Sequence, residues 1–291
     1  MKQNYSKIKG DARDFIREMQ ARGLVFDDPD SAVSYVRNIG HFRLLSYMYP
    51  FICEPKSKGV FKKGTNFHQV LRVYGFDKKL RLLLFNEIEK IEVAFRNIVS
   101  DRMVEMTGDD SWMLNENYVS RETMNLIKKE FHRTNDDFLS GFSKIHSEKY
   151  PPTWVMIEVL TFGTMTWIFR NLPFRYKKDI ARYFHLNAPV MDSWMNVIVL
   201  TRNACCHHAR LWNRVFSLIT LTMNGMTRPW IDEDVDRRRT FHNISMVKYF
   251  LDIISPANDF KEKLMTLLKL YPEIDISAMG FPRNWQHSIW Q

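Results

Sequence analysis

Cysteine is nearly absent from this 291-residue chain: Cys53, Cys205 and Cys206 are the whole complement. Three thiols cannot build a disulfide framework, and their scarcity points to a reducing, cytoplasmic compartment. Glycine and proline are sparse, 11 each, so few positions force the backbone out of regular structure. No apolar run approaches the roughly 20 residues that a bilayer-spanning helix needs. The longest, such as residues 215–223, are interrupted by Ser and Thr. The opening Met1-Lys2-Gln3-Asn4-Tyr5 is polar with no apolar stretch behind it, so neither a secretory signal nor a membrane partner is expected. An acidic excess is also missing. The 42 Lys and Arg against 33 Asp and Glu give a formal charge of +9 and a pI near 9.4. That balance favours polyanionic partners such as RNA, DNA or anionic lipid, although charge alone equally describes a merely basic soluble protein.

What is present is helical periodicity. Apolar residues recur mostly at i, i+3 and i+4, which predicts an all-α fold. A first helix is expected over residues 12–22, stopped by Gly23. A second runs to about residue 38, with Asp30 and Ser31 offered as caps. The aromatic-rich block His41 to Phe51 is broken by Pro50, and residues 54–65 form a loop. A long helix is expected over 76–105, with Leu80, Leu83, Leu84, Ile88, Ile91, Phe95 and Ile98 as its apolar stripe and Glu87, Glu89, Lys90, Glu92 and Arg96 decorating the rest. One or two polar helices follow over 121–147, an apolar helix from Pro152 through 169, and a basic helix over 177–185. A second long helix is predicted over 189–224, a charged loop over 227–240, and two last helices over about 242–255 and 257–270. No repeat, low-complexity tract or long linker divides the chain. The expected organisation is an N-terminal helical segment over 1–60 packed on a main helical body over 61–291.

The most informative stretch is Thr201-Arg202-Asn203-Ala204-Cys205-Cys206-His207-His208-Ala209-Arg210-Leu211-Trp212-Asn213-Arg214. It has the pattern R-N-x3-H with two arginines beyond. On a continuous helix, at about 100° per residue, Asn203, His207, Arg210 and Arg214 share a stripe roughly 60° wide, which Asn196 joins. Trp194, Val197, Ile198, Thr201, Cys205, His208, Trp212, Phe216 and Ile219 fill the opposite side, and Arg202 lies on the shoulder. An imidazole acts as general acid or base near neutral pH, and a guanidinium beside it holds a phosphate and stabilises charge building on phosphorus. The alternative is a solvated face with salt-bridged arginines.

Competing sites are weaker. Cys205, Cys206, His207 and His208 are consecutive on a helix and point four ways, so no metal centre and no cofactor is expected from them. Cys205 reads as a small core residue and His208 as a hydrogen-bonded core histidine. The run Glu87 to Glu92 reads as an exposed face with an i, i+4 pair of Glu92 and Arg96. A metal-dependent nuclease would have to draw on that run or on Asp232 to Asp236. Trp154, Trp167, Trp194 and Trp212 read as core, which leaves Tyr47, Tyr49 and Trp285 as candidates for base stacking. Arg237, Arg238 and Arg239 form either a phosphate patch or a solvated loop.

The segment Arg202 to Arg214 resembles the signature of the AbiD/AbiF abortive-infection family of bacterial phage-defence proteins. Further blocks agree in order: His41-Phe42-Arg43-Leu44-Leu45-Ser46-Tyr47 with Pro50-Phe51; Phe61-Lys62-Lys63-Gly64-Thr65-Asn66-Phe67; Tyr74-Gly75-Phe76-Asp77-Lys78-Lys79-Leu80; Ile88 to Arg96; Pro152-Thr153-Trp154; Glu158 to Gly163; and Met279-Gly280-Phe281-Pro282. The resemblance covers nearly the whole chain. Cys206 departs from it, standing where many relatives carry a small residue such as alanine.

That family is similar to the HEPN superfamily, whose members carry R-x4-6-H on a helix; Arg202 and His207 match with four residues between them. The resemblance implies a HEPN-type helical bundle with an additional N-terminal segment, and a metal-independent endoribonuclease toxin acting as a homodimer, with a small non-coding RNA as a further partner. Arg202, His207 and Asn203 would be catalytic, and Arg210, Arg214, His208, Arg237, Arg238 and Arg239 would contact RNA. His207 would take the proton of a ribose 2′-hydroxyl while Arg202 steadies the phosphate, leaving a 2′,3′-cyclic phosphate. Because one imidazole cannot serve both ends of an in-line displacement, a second His207 from a partner would protonate the leaving oxygen. The rival reading is a non-catalytic RNA-binding protein that assembles with a small RNA.

Overall fold

The structure is a computed structural model and describes residues 10–134, 142, 144–231 and 234–291; the chain start and Asp232 lie outside the described residues. It is all-α, as the periodicity predicts, with only isolated β-bridges among the described residues. The chain divides into two compact units, residues 1–80 with 267–274 and residues 81–266 with 275–291.

In the first unit, α1 (Ala12–Ala21) opens on a capping box in which Asp11 and Asp14 satisfy each other's backbone N–H groups, and it closes before Gly23 at φ 93°. α2 (Pro29–Ile39) is capped by Asp28, whose side chain accepts from the N–H groups of Asp30 and Ser31. The cap therefore lies one proline earlier than expected, because Pro29 fits the first helical position. α3 (His41–Met48) follows Gly40, and Pro50 converts its end to a single 3₁₀ turn, Tyr49–Phe51. The core gathers Phe15, Ile16, Met19, Val36, Leu44, Val70 and Phe76. Tyr47 is buried too, donating its hydroxyl to Asp77 at 2.6 Å, so it offers no stacking face.

α4 (Phe67–Thr107) begins nine residues before its expected start. Gly75 masks this in the sequence, since glycine disfavours a helix interior by about 1 kcal/mol. Here it makes room: a Cβ would stand 3.3 Å from the Tyr271 hydroxyl. Gly108 ends the helix at φ 65°.

The second unit contains α4 from Arg81 onward, α5 (Arg121–Arg133), α6 (Thr153–Met156), α7 (Phe162–Asn171), α8 (Phe174–Tyr183), α9 (Ala188–Cys206), α10 (Thr240–Ile254) and most of α11 (Phe260–Leu270). The expected continuous helix to residue 169 is instead two helices broken at Leu160 and Thr161. Glu130 of α5 explains the break: its carboxylate accepts from the Thr161 N–H at 2.9 Å and the Thr164 hydroxyl at 2.6 Å, capping α7. Trp154 and Trp167, expected in the core, are 48% and 39% exposed, while Trp194 and Trp212 are buried. α9 is the central strut and packs against α7, α8 and α10. Its buried Thr201 donates to the Val197 carbonyl and accepts from Asn243 of α10 at 3.0 Å.

α9 does not run to residue 224. It stops at Cys206 in a Schellman motif, with the Ala209 N–H bonded to the Ala204 carbonyl at 2.8 Å and the His208 N–H to Cys205 at 3.1 Å. His208 takes the left-handed position, φ 55°, usually held by glycine. No Gly or Pro marks this stop.

Candidate functional site

The end of α9 sorts the motif into three environments. Arg202 and Asn203 are helical and half-buried; His207 is the C-cap and exposed; His208, Arg210 and Arg214 lie beyond the helix. The single polar stripe from Asn203 to Arg214 therefore does not exist, because the helical register ends before its last two members. His208 is corrected as well: the left-handed turn swings it to the surface rather than into the core. Cys205 is buried, as expected.

Arg202 is held from α4. Its Nε lies 3.4 Å from Glu92 Oε2, an ion pair without a hydrogen bond. Its guanidinium also stands 5.9 Å from the Phe85 ring centre, and its Nη1 donates to the Asn203 side-chain oxygen at 3.4 Å. The other oxygen of Glu92 accepts from Arg96, which donates as well to the carbonyls of Ile157 and Glu158 at 3.2 Å each. One buried carboxylate thus bridges two guanidiniums. Glu92 was expected on an exposed face; in fact it and Glu87 are both buried. The signal was available. At about 100° per residue, Glu92 falls within roughly 60° of Ile88, Phe95 and Val99, inside the apolar stripe rather than opposite it. Glu87 lies similarly among Leu80, Leu84 and Ile91, and it is neutralised by Lys90 at 2.6 Å and Lys263 at 3.2 Å.

His207 donates its backbone N–H to the Asn203 carbonyl at 2.9 Å. Among the described residues its imidazole has no hydrogen-bond or ionic partner, and none joins it to Arg202. About 140° of helix separates the two side chains.

The segment after the helix is tied down. The buried Arg81 donates to the Ala209 carbonyl at 3.5 Å. Arg210 reaches the Asn213 carbonyl at 3.4 Å, and Arg214 lies over the Phe216 ring at 4.7 Å. Trp212 donates its indole N–H to the Asp275 carbonyl at 3.0 Å. The loop before α10 completes the tie: Arg237 donates to the Thr220 carbonyl at 2.7 Å, Arg238 pairs with Asp236 at 3.1 Å, and Arg239 reaches Asn213 at 3.3 Å and Ala278 at 3.4 Å. Hydrogen bonds from Arg238 hold the Asp236 carboxyl below its usual range. Behind the loop, buried His242 stays neutral: burial, with the Arg237 charge, lowers its pKa to about 4. Of the stacking candidates, Trp285 is buried and Tyr49 is 53% exposed.

Among the described residues no three His, Cys, Asp or Glu side chains converge as metal ligands, and no helix is long and apolar enough to cross a membrane. A family model described as "Abi-like protein" matches residues 34–213, more than half of the chain and the whole of the motif through Asn213. No curated protein and no solved structure matches the chain.

Proposed function

The chain belongs to the Abi-like family of abortive-infection proteins, and from that premise we propose that it is a HEPN-type endoribonuclease in which His207 and Arg202 act on an RNA phosphodiester. The observation that carries this reading is the pairing of an exposed, unengaged imidazole at the end of α9 with a guanidinium fixed by a buried carboxylate a turn and a half earlier. A general base must reach its proton freely, whereas a charge stabiliser works best when it is preorganised. In this mechanism His207 takes the 2′-hydroxyl proton and the 2′-oxygen attacks phosphorus. The P–O5′ bond breaks, and a second imidazole protonates the leaving 5′-oxygen.

The second imidazole is that of another copy. Arg202 and His207 diverge around the helix, so each would meet its complement across a two-fold axis. Exposed apolar side chains lie on the same two helices: Phe85, under the Arg202 guanidinium, with Leu82 and Val93 on α4, and Leu200 on the His207 side of α9. Asn203 would orient Arg202 through its side-chain oxygen.

The test is cleavage of labelled total RNA by purified protein in EDTA, wild type beside His207→Ala, with end-group analysis. The expected result is 2′,3′-cyclic phosphate ends from the wild type and none from the variant. Equal cleavage by both would remove His207 from the mechanism. One observation favours a second reading, a module that only binds RNA: among the described residues no contact joins His207 to Arg202, so one chain does not bring the two together as a catalytic pair. That reading expects retained RNA affinity and no new ends.

A further inference from the structure

The first unit carries a short hairpin that the site above does not use. Ile52 and Phe61 form an antiparallel bridge, with Cys53 N–H bonded to the Val60 carbonyl and Lys62 N–H to the Phe51 carbonyl, both at 2.8 Å. Its tip is the 3₁₀ turn Lys56–Lys58, closed by Gly59 at φ 65°. Arg22, at the end of α1, clamps this tip. Its Nε donates to the Gly59 carbonyl at 2.7 Å, its guanidinium stands 5.7 Å from the Phe61 ring centre, and its own carbonyl accepts from the Phe61 N–H at 2.9 Å. A Cβ at position 59 would meet Arg22 at 2.6 Å. The hairpin is thus fixed in place.

Its cations divide into two kinds. Lys56 works inward: it donates to the Ile52 carbonyl, pairs with Glu54 at 3.4 Å and lies 5.6 Å from the Tyr49 ring centre. Lys58, Lys62 and Lys63 are exposed, and none meets a carboxylate among the described residues. At about 3.3 Å per residue, Lys58 and Lys62 stand at most about 13 Å apart, close enough to meet nearby phosphates of one strand. Tyr49, whose ring lies 5.6 Å from Lys56 Nζ, is half-exposed at the base of the same hairpin.

We propose that this hairpin is a binding surface for single-stranded RNA, with Lys58, Lys62 and Lys63 on phosphates and Tyr49 stacked on a base. Unengaged cations on a rigid support, with an exposed aromatic ring on the same hairpin, are the two elements of sequence-tolerant single-strand binding. An anionic membrane fits less well, because the only aliphatic side chain exposed at the hairpin is Val60. The proposal rests on the RNA reading above but not on catalysis.

The test uses the full chain and a fluorescent 2′-O-methyl oligouridine of about 20 nucleotides, which lacks the attacking hydroxyl and cannot be cleaved. Each phosphate contact on a single strand contributes about 0.7 to the slope of log K against log salt. The Lys58→Ala, Lys62→Ala, Lys63→Ala triple variant is expected to lower that slope by about 2. Tyr49→Ala is expected to weaken binding about 5- to 150-fold, the range for one stacked base, with the slope unchanged. If parent and triple variant share one slope while the parent binds, the hairpin is not the surface and the RNA reading stands. If the parent binds no RNA, both fail. If the triple variant loses only its affinity for phosphatidylserine vesicles, the surface belongs to a membrane and the proposal is overturned.

Discussion

Replacing Glu92 by glutamine keeps the shape of the side chain and removes its charge, which isolates what the carboxylate does for the guanidiniums on either side. The two arms differ. Arg96 and Glu92 expose 13% and 11% of their side chains and share a direct hydrogen bond, while Arg202 is 33% exposed and 3.4 Å away without one. A hydrogen bond to a charged group contributes about 1.5–3 kcal/mol, so the Arg96 arm is set at about 2 kcal/mol. Solvent screening brings the Arg202 arm to the level of a surface pair, about 1 kcal/mol. Glu92→Gln is therefore expected to cost about 2–3 kcal/mol. In a domain the size of the second unit this lowers Tm by roughly 4–12 °C. Denaturation of the four proteins in each double-mutant cycle, Glu92→Gln with Arg96→Ala and with Arg202→Ala, should give coupling near 2 and near 1 kcal/mol respectively. RNA cleavage should fall in Glu92→Gln at temperatures where the variant is fully folded, because a freed Arg202 is no longer preorganised. Zero coupling between Glu92 and Arg202, or cleavage at the parent rate, would refute the positioning role.

His208→Gly should stabilise the protein by about 1 kcal/mol, since glycine enters the left-handed region freely; thermal unfolding measures this. If the same variant loses RNA cleavage, His208 acts on substrate and is more than a helix stop. Burial lowers the pKa of His242 from the ordinary histidine value of 6.5 to about 4 in the folded chain. The unfolded chain therefore binds the proton first. The stability contribution, about 3 kcal/mol, is complete above pH 6.5 and disappears as pH falls towards 4. Urea titrations across that window should show the slope in the parent and its loss in His242→Gln; equal slopes would refute the linkage.

The sequence made the helices legible wherever a breaker coincided with a real boundary: Gly23 after α1, Gly108 after α4, Pro50 after α3. It failed where tertiary contacts decide. Gly75 reads as a breaker but sits inside α4 because Tyr271 needs the space. Nothing local marks the end of α9, since the Schellman turn there is made by His208, and only the ties of Leu211, Trp212 and Asn213 to distant residues favour it. For the candidate site, the R-N-x3-H pattern reads as the middle of a helix that continues to residue 224, whereas the structure sets it at the C-terminal end of α9. The circular arrangement assigned to Arg210 and Arg214 did not survive, because it assumed a register that stops at Cys206. Glu92 hides in a charged run that reads as solvated, although its angular position sets it among apolar neighbours.

The ties that follow α9 also fix how the chain can vary in length. The Thr240 hydroxyl reaches the Leu211 carbonyl at 2.8 Å, the Arg239 side chain reaches Asn213, and the Phe216 N–H reaches the Arg238 carbonyl at 2.8 Å. These contacts set residues 211–216 antiparallel to residues 240–238, so one residue inserted between Leu211 and Phe216 would shift one contact against the next beside the buried Leu211 and Trp212. The stretch around Asn224, Gly225 and Thr227 is exposed and lies outside that zipper. Insertions and deletions among natural variants should therefore collect at 224–227, while the interval from Leu211 to Phe216 keeps a constant count.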